Sequence, residues 1–514
     1  MKLILGIVFV IFAFVNFRHL NIGFLSLVEI DEYAFHHSLI NMFEGVIELN
    51  LKKIFSFYLY SYGFIFFLIN LIFTFPFFLF DNTEMTIYFP RIVSALFAVG
   101  SLYIIYIFAL NRSSKLVSYL IVLFVLTMPG FWRNAFWFHP DWMMTFFLLL
   151  SIYFYSKDNF DYKKYFWYGT FSFGFAISSK FQAITFYPFL FFYIFYENFN
   201  LKNFYNYKLK IILFIKSISV SIIIFIITNP YILHPLGFEV WMVDFIANMK
   251  SNNITHGAGE ILDWKEKITN AITSYYFTLS IFIILIFLII FNSIKYFLHQ
   301  KKNILNIISL YVLINLIYLI FFVNKDWQHY YLSILMASSL LFIIKSKKTK
   351  YILPIFMVLN LTLSFEQHKK IFLYNPITEE HLEMSQSLVS IFSGKVDKNT
   401  NILIDPYVPF DFTSLGMGYK NIHNIYGTLS KKHFIKEDWY KVYPSFTSFS
   451  EKNFIVIKKS SLYFYPEKFN SRADKNEYQN AYDIIQNFNR GGDFGYEKFS
   501  ENDYFFIWSH KWYW

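Results

Sequence analysis

The 514-residue chain contains no cysteine. Disulfides, thiol nucleophiles and Cys-ligated metals are therefore excluded, and the redox compartment is left open. Charge is also scarce: 16% of residues are Asp, Glu, Lys or Arg, against about 25% in soluble domains. No P-loop, H-E-x-x-H or G-x-G-x-x-G motif occurs, so nothing points to nucleotide use. Internal repeats and low-complexity runs are absent as well. The first apolar segment, Leu3 to Val15, lacks a small-x-small cleavage site after it and is read as a retained helix.

What fills the chain is apolar residues, 56% of the total. Candidate membrane spans lie near 3–17, 91–110, 116–132, 142–156, 165–180, 181–196, 211–231, 272–292, 305–323, 331–345 and 351–364. The net charge of +10 comes from short basic clusters between these spans, such as Arg112 with Lys115 and Lys157 with Lys163 and Lys164. Such loops mark a cytoplasmic face and argue against nucleic acid. Segment 62–80 is equally apolar. Counting it as a span puts these two clusters and those at 202–210, 295–302 and 345–350 outside, and excluding it puts all five inside. It is therefore expected to lie in the membrane plane or to re-enter within an outer loop, 18–90.

The expected fold is a polytopic α-helical membrane domain of about eleven transmembrane helices over residues 1–365. An extracytoplasmic α/β domain over 366–514 follows. Its strands are expected at "NILIDPYV", "NFIVIKKS" and "DYFFIWS", and a helix at "NEYQNAYDIIQNF".

The stretch "LVEIDEYAFHHSLINMF" concentrates acids and histidines directly after the first apolar helix. Asp31 there and Asp141 in "FHPDWMMTFF" fall on the same outer face when 62–80 does not span. Two separated carboxylates suit general-base chemistry, one taking a proton and the other orienting it or holding a cation. The plainer alternatives are an N-cap for Asp31, a helix-start residue for Asp141, and a surface pair of Glu32 with His36. Arg91, Lys180 and His329 are candidates for gripping a phosphate, with snorkelling as the alternative. His256 in the outer loop "NITHGAGE" is a candidate for contacting substrate or a metal, although an exposed loop histidine more often does neither.

The succession "DEYAFHHSLINMFEG", "YLYSYGFIFFLINLIF", "EMTIYFPRIVSALFAVGSLYIIYIFA", "MPGFWRNAFWFHPDWMMTFF", "YGTFSFGFAISSKFQAITFYPFLFF" and "QHYYLSILMASSLLFI" resembles membrane glycosyltransferases of the GT-C fold. It is most similar to the branch of protein O-mannosyltransferases and lipid A aminoarabinose transferases, over roughly residues 1–345. The resemblance implies an inverting transfer from a polyprenyl-phosphate-linked sugar to a lipid, glycan or protein acceptor at the non-cytoplasmic face of a bacterial inner membrane. It implies Asp31 as the base and Asp141 as the second acidic position. Arg91 and Lys180 correspond to positions that in relatives lie near the lipid phosphate or buttress the site, and His329 with Tyr330 to a late His-Tyr pair. Relatives often have a Pro-Pro or Glu-Lys-Pro element before the segment that starts here near Tyr62. This chain has "YLYSYG" instead, which removes the lysine or metal-binding glutamate of that element. Lys52 or Lys53 is then the nearest substitute. No cofactor is required by these residues, and a divalent metal is left open. Two other classes remain: a transporter of a lipid-linked sugar, and a non-catalytic membrane subunit.

Overall fold

The computed structural model describes residues 1–18, 20, 22–24, 30–55, 60, 62–80, 82–196, 204–252, 263–298, 302–343, 349–373, 377–405, 408–418, 421–424, 453–460 and 496–510. Lipid cannot satisfy free backbone groups, so the apolar three quarters of the chain is helical. Its helices are α1 (Lys2–Arg18), α2 (Ile30–Ile47), α3 (Leu51–Phe55), α4 (Phe64–Leu79), α5 (Thr83–Leu110), α6 (Lys115–Leu126) and α7 (Pro129–Ala135). Next come α8 (Asp141–Asp158), α9 (Lys164–Ser179), α10 (Tyr187–Ile194), α11 (Phe204–Thr228), α12 (Pro235–Asn252) and α13 (Trp264–Lys267). The series ends with α14 (Leu279–Leu298), α15 (Ile304–Phe321), α16 (Leu332–Ser339), α17 (Thr349–Leu363), α18 (Phe365–Leu373) and α19 (Glu379–Phe392).

The chain is an integral membrane protein. Among the described residues, four helices are long and apolar enough to cross a bilayer: α5, Tyr207–Thr228 of α11, α14 and α15. A fifth arises if α6 and α7, bent by 68° at their junction, form one span. Most of the remaining expected spans are shorter or interrupted helices, and α8, an unbroken 18 residues, carries Asp141, Lys157 and Asp158. Segment 331–345, for example, divides into α16 and a 3-10 turn at Leu340–Phe342. Proline and 3-10 turns stop helices inside an apolar run, so run length overstates helix length. The opposite error occurs at α5. It begins eight residues before Arg91, where Asn82 Oδ1 accepts a hydrogen bond from Met85 N at 3.2 Å, and Arg91 is buried in its interior.

Helix α8 lies between α5 and α9. At one end, Lys157 Nζ of α8 donates to Asn111 Oδ1 (3.2 Å), and Arg112 donates to Ser156 Oγ (2.8 Å). Arg91 and Asp141 lie toward the other end. Both ends of α4 reach that second end. Gly63 N, at its start, donates to Ser179 O at 3.1 Å, and Phe77, near its finish, stacks on Phe89 of α5 at 4.5 Å.

The C-terminal unit is a mixed sheet in the order β2-β1-β3-β5-β4, with β1 (Ile402–Ile404), β2 (Ile422–Asn424), β3 (Phe454–Lys458), β4 (Tyr496–Glu501) and β5 (Phe505–His510). Strand β1 pairs in parallel with β2 and β3, and β5 is antiparallel to β3 and β4. The three strands expected from sequence are β1, β3 and β5. The helix expected at "NEYQNAYDIIQNF" lies outside the described residues. Helix α18, placed in the α/β domain by the boundary at 366, packs on the helical body: its Phe372 ring is 5.1 Å from Trp132. Met384, Leu388 and Phe392 of α19 bury against the sheet, in a cluster that also takes in Tyr33 of α2 and Ile87 of α5.

Candidate active site

Asp31 lies inside the first turn of α2 rather than at its cap, and 46% of its side chain is exposed. Its Oδ2 is 3.9 Å from Nε2 of His139. Glu32 turns the other way into the body. Its two oxygens accept from Arg91 Nε (2.9 Å) and an Arg91 terminal nitrogen (2.7 Å), and Oε1 also accepts from Phe138 N (2.8 Å). Both partners are buried. A buried pair of this kind is tolerable because geometry and extra hydrogen bonds compensate the lost hydration. It ties α2, α5 and the loop before α8 together. Arg91 thus braces Glu32 through two of its nitrogens. The expected surface pair of Glu32 with His36 is absent, and His36 Nε2 is 2.8 Å from Thr86 Oγ1.

Asp141 is the first residue of α8. Its Oδ1 accepts from Lys180 Nζ at 2.7 Å. Lys180 follows α9 in an extended conformation and forms an isolated antiparallel bridge with Tyr62. The two strands meet closely at Gly63, where a Cβ would lie 1.5 Å from Ser178 O. Only glycine fits there. Lys180 Nζ is 5.4 Å from the ring centres of both Tyr62 and Tyr330, within reach of cation–π attraction.

The third contribution comes from 324–331, before α16. Gln328 exchanges hydrogen bonds with Asn134 (2.7 and 3.1 Å), and its backbone oxygen accepts from Tyr276 OH at 2.8 Å. This anchors His329, whose ring centre is 5.2 Å from that of His139. Lys325 is buried beside Trp327 and donates to Tyr330 OH at 3.4 Å. Burial, and then the charge of Lys180, pull the Lys325 ammonium down to about 8. Burial likewise holds His329 well below the usual histidine range, which keeps its imidazole neutral.

His139, Asp141 and His329 bring one donor atom each to within 4.8 Å of one another, all buried. Asp141 Oδ2 and His139 Nδ1 are in ion-pair contact at 2.5 Å, and His139 Nε2 is buried without a hydrogen-bond partner. Two imidazoles and a carboxylate gathered in this way fit a divalent cation.

The structure thus brings together Asp31, Asp141, Tyr62, Lys180, His329 and Tyr330, with Glu32 and Arg91 as their support. His256 lies outside the described residues. Lys53 does not take the place of the missing lysine: its Nζ is held by Glu44 (2.5 Å) and Glu48 (2.9 Å) at the far end of α2. Sequence reasoning passed over His139 and Lys325. His139 could have been found from the His-x-Asp spacing in "FHPDW". Lys325 carries no local signal beyond standing four residues before His329.

Residues 65–225 match the family model described as dolichyl-phosphate-mannose-protein mannosyltransferase. A comparison with curated proteins gives no match. Among solved structures, the chain is similar to ArnT from Cupriavidus metallidurans in the apo state, with a TM-score of 0.56 at 10% identity over 98% of this chain and 97% of that one. The same protein bound to undecaprenyl phosphate gives 0.55 at 10% identity, over 98% of each chain. The apo oligosaccharyltransferase of Archaeoglobus fulgidus gives 0.52 at 11% identity, over 92% of this chain and 72% of that one. At such identities the likeness concerns the fold. It is the GT-C fold of membrane glycosyltransferases.

Proposed function

We propose that this GT-C protein is an inverting glycosyltransferase that moves a sugar from a polyprenyl-phosphate donor to an acceptor hydroxyl at the extracytoplasmic membrane face. The observation that carries this reading is a convergence of two unlike carboxylates. Asp31 is exposed, and Asp141 is buried and balanced by Lys180. Both lie at the end of the bundle remote from Arg112 and Lys157. Those basic residues would face the cytoplasm, which leaves α4, with both its ends at the site, on the outer surface. A lipid-borne donor is supported by the matched family's description and by the ArnT structure bound to undecaprenyl phosphate. The acceptor is a hydroxyl of a lipid, glycan or protein. The A. fulgidus oligosaccharyltransferase tethered with an acceptor peptide, at 11% identity and a TM-score of 0.51, offers a protein precedent.

In this mechanism Asp31 takes the proton of the acceptor hydroxyl while the hydroxyl oxygen attacks the anomeric carbon. The bond from that carbon to the phosphate oxygen breaks, its electron pair leaves with polyprenyl phosphate, and configuration inverts. Lys325 and Lys180, whose Nζ atoms lie 5.7 and 5.4 Å from the Tyr330 ring centre, offset the charge on the departing phosphate. Asp141 keeps Lys180 directed, and the Glu32–Arg91 pair keeps the Asp31 turn in place. Tyr62, His329 and Tyr330 wall the site. His139, Asp141 and His329 would hold a divalent ion, whose Lewis acidity would polarise the donor phosphate.

The test is purified protein in proteoliposomes with polyprenyl-phosphate hexose and pentose donors and a membrane lipid, glycan and protein extract as the source of acceptor hydroxyls, with release of polyprenyl phosphate as the readout. Release with at least one donor is expected. Movement of intact donor across the bilayer without release identifies a transporter and overturns the reading.

A further inference from the structure

Asp31, Glu32 and Tyr33 are consecutive in the first turn of α2 and, at about 100° per residue, leave it in three directions. Asp31 turns to the site, and Glu32 is locked to Arg91 and Phe138 N in the helical body. Tyr33 enters the C-terminal unit. Its hydroxyl donates to Ile422 O in β2 at 2.8 Å, and its ring is buried with Met384, Leu388 and Ile402. Ile87, one turn before Arg91 on α5, joins the same cluster. Upstream of α2 there is a second contact: a Cβ on Gly23 would lie 2.7 Å from Asp411 Cα. The α/β unit therefore holds the segment bearing Asp31 at two points.

Asp31 does not fix its own direction. Among the described residues it meets one ionic partner, at 3.9 Å, with nearly half of its side chain exposed. Its aim depends on the turn that bears it. Phe35, buried against Phe66, Phe67 and Phe138, packs the helix onto α4. Glu32 and Tyr33 are the two hydrogen-bonded ties of the turn itself, one to the helical body and one to the C-terminal unit.

We infer that the C-terminal α/β unit is a working part of the active site, and that Tyr33 is the positioning residue through which it aims Asp31. This rests on Asp31 acting as the base. A displacement of about 1 Å at a reacting group can cost about 100-fold in rate, and loss of one of two ties is a smaller disturbance. In full-length protein, Tyr33→Phe keeps the buried ring and removes only the bond to Ile422. Its kcat is expected to fall about tenfold, with the donor KM within about twofold and thermal unfolding unchanged. In an Asp31→Asn background, assayed with radiolabelled donor over long incubations, Tyr33→Phe should cause no further loss, because there is no base left to aim. Wild-type kcat in Tyr33→Phe beside an inactive Asp31→Asn sinks this inference alone. An equal loss in both backgrounds also overturns it, since Tyr33 would then act on something other than Asp31. Wild-type turnover in Asp31→Asn sinks the base reading, and this inference with it.

Discussion

The side chain of Asp31 is 46% exposed and that of Asp141 is 1% exposed, and this difference separates their roles. A base must be reachable by the acceptor, whereas a buried carboxylate whose Oδ1 is bonded to Lys180 is out of the acceptor's reach. Asp31→Asn is close to isosteric and cannot accept a proton. Its turnover should fall by about 10²–10⁴ with donor binding retained, as measured by polyprenyl phosphate release and by donor titration. Lys325 makes a second prediction. Burial favours its neutral form and draws it down to about 8, so the ammonium is present below that pH and lost above it. Donor turnover should therefore decline as pH rises through about 8. Lys325→Arg, which stays charged to beyond pH ~12, should move the decline upward in a pH–rate profile; an unmoved limb would remove Lys325 from phosphate binding. Asp31 and Asp141 were legible in the sequence because each stands beside an apolar helix, where an acid is conspicuous. His139 was legible only through its His-x-Asp spacing to Asp141, and Lys325 was not, because its meaning comes from residues such as Lys180, far away in the chain.

Among the elements, α2 and α4 show what a sequence pattern can and cannot reveal. That 62–80 forms an apolar helix follows from its composition. That Gly63 must approach Ser178 closely, so that Tyr62 pairs with Lys180, depends on a partner more than a hundred residues on. The Glu32–Arg91 pair is similar: each residue looks like a site group in isolation, and together they are a brace between α2 and α5. Removing one partner leaves a buried, uncompensated charge, which costs about 3–5 kcal/mol. Arg91→Gln should accordingly lower expression and thermal stability in detergent as well as activity, unlike Asp31→Asn. A fully stable but inactive Arg91→Gln would return Arg91 to direct substrate contact. A control substitution for Asp141 belongs at the far end of α8, where Asp158 is itself structural: it accepts hydrogen bonds from Tyr162 N, Lys163 N and Tyr193 OH. The exposed Asp161 serves better, and Asp161→Asn should leave turnover near wild type.

On the scale of the whole molecule, charge and chemistry sit at opposite ends of the helical bundle. Arg112, Lys157 and Lys163 gather at one end, and Asp31, Asp141, Lys180 and Lys325 at the other. The basic loops and the acid pair were both readable in the sequence. The number of helices long enough to span was not, because proline and 3-10 turns cut the apolar runs, and the order of the sheet depends on pairings between distant strands. Membrane orientation can be tested directly, since the chain has no cysteine and any single one introduced is the sole target for a thiol reagent. Glu84 is exposed in the first turn of α5, and Lys265 is exposed in α13. Both belong to the site end: Glu84 precedes Arg91 on the same helix, and Lys265 is two residues before Lys267, whose Nζ donates to Ile320 O at 2.9 Å. Lys163, with 81% of its side chain exposed, belongs to the basic end. Glu84→Cys and Lys265→Cys should react with a membrane-impermeant maleimide added to intact cells, and Lys163→Cys only after permeabilisation. The reverse pattern would put the site in the cytoplasm, where a nucleotide-linked donor is within reach and the case for a lipid-borne sugar is lost. Asn50, exposed before α4, supplies the remaining probe: labelling of Asn50→Cys and Glu84→Cys on different sides would mean that α4 crosses the bilayer. Asp31 and Asp141 would then be separated by the membrane, and no two-carboxylate site could form.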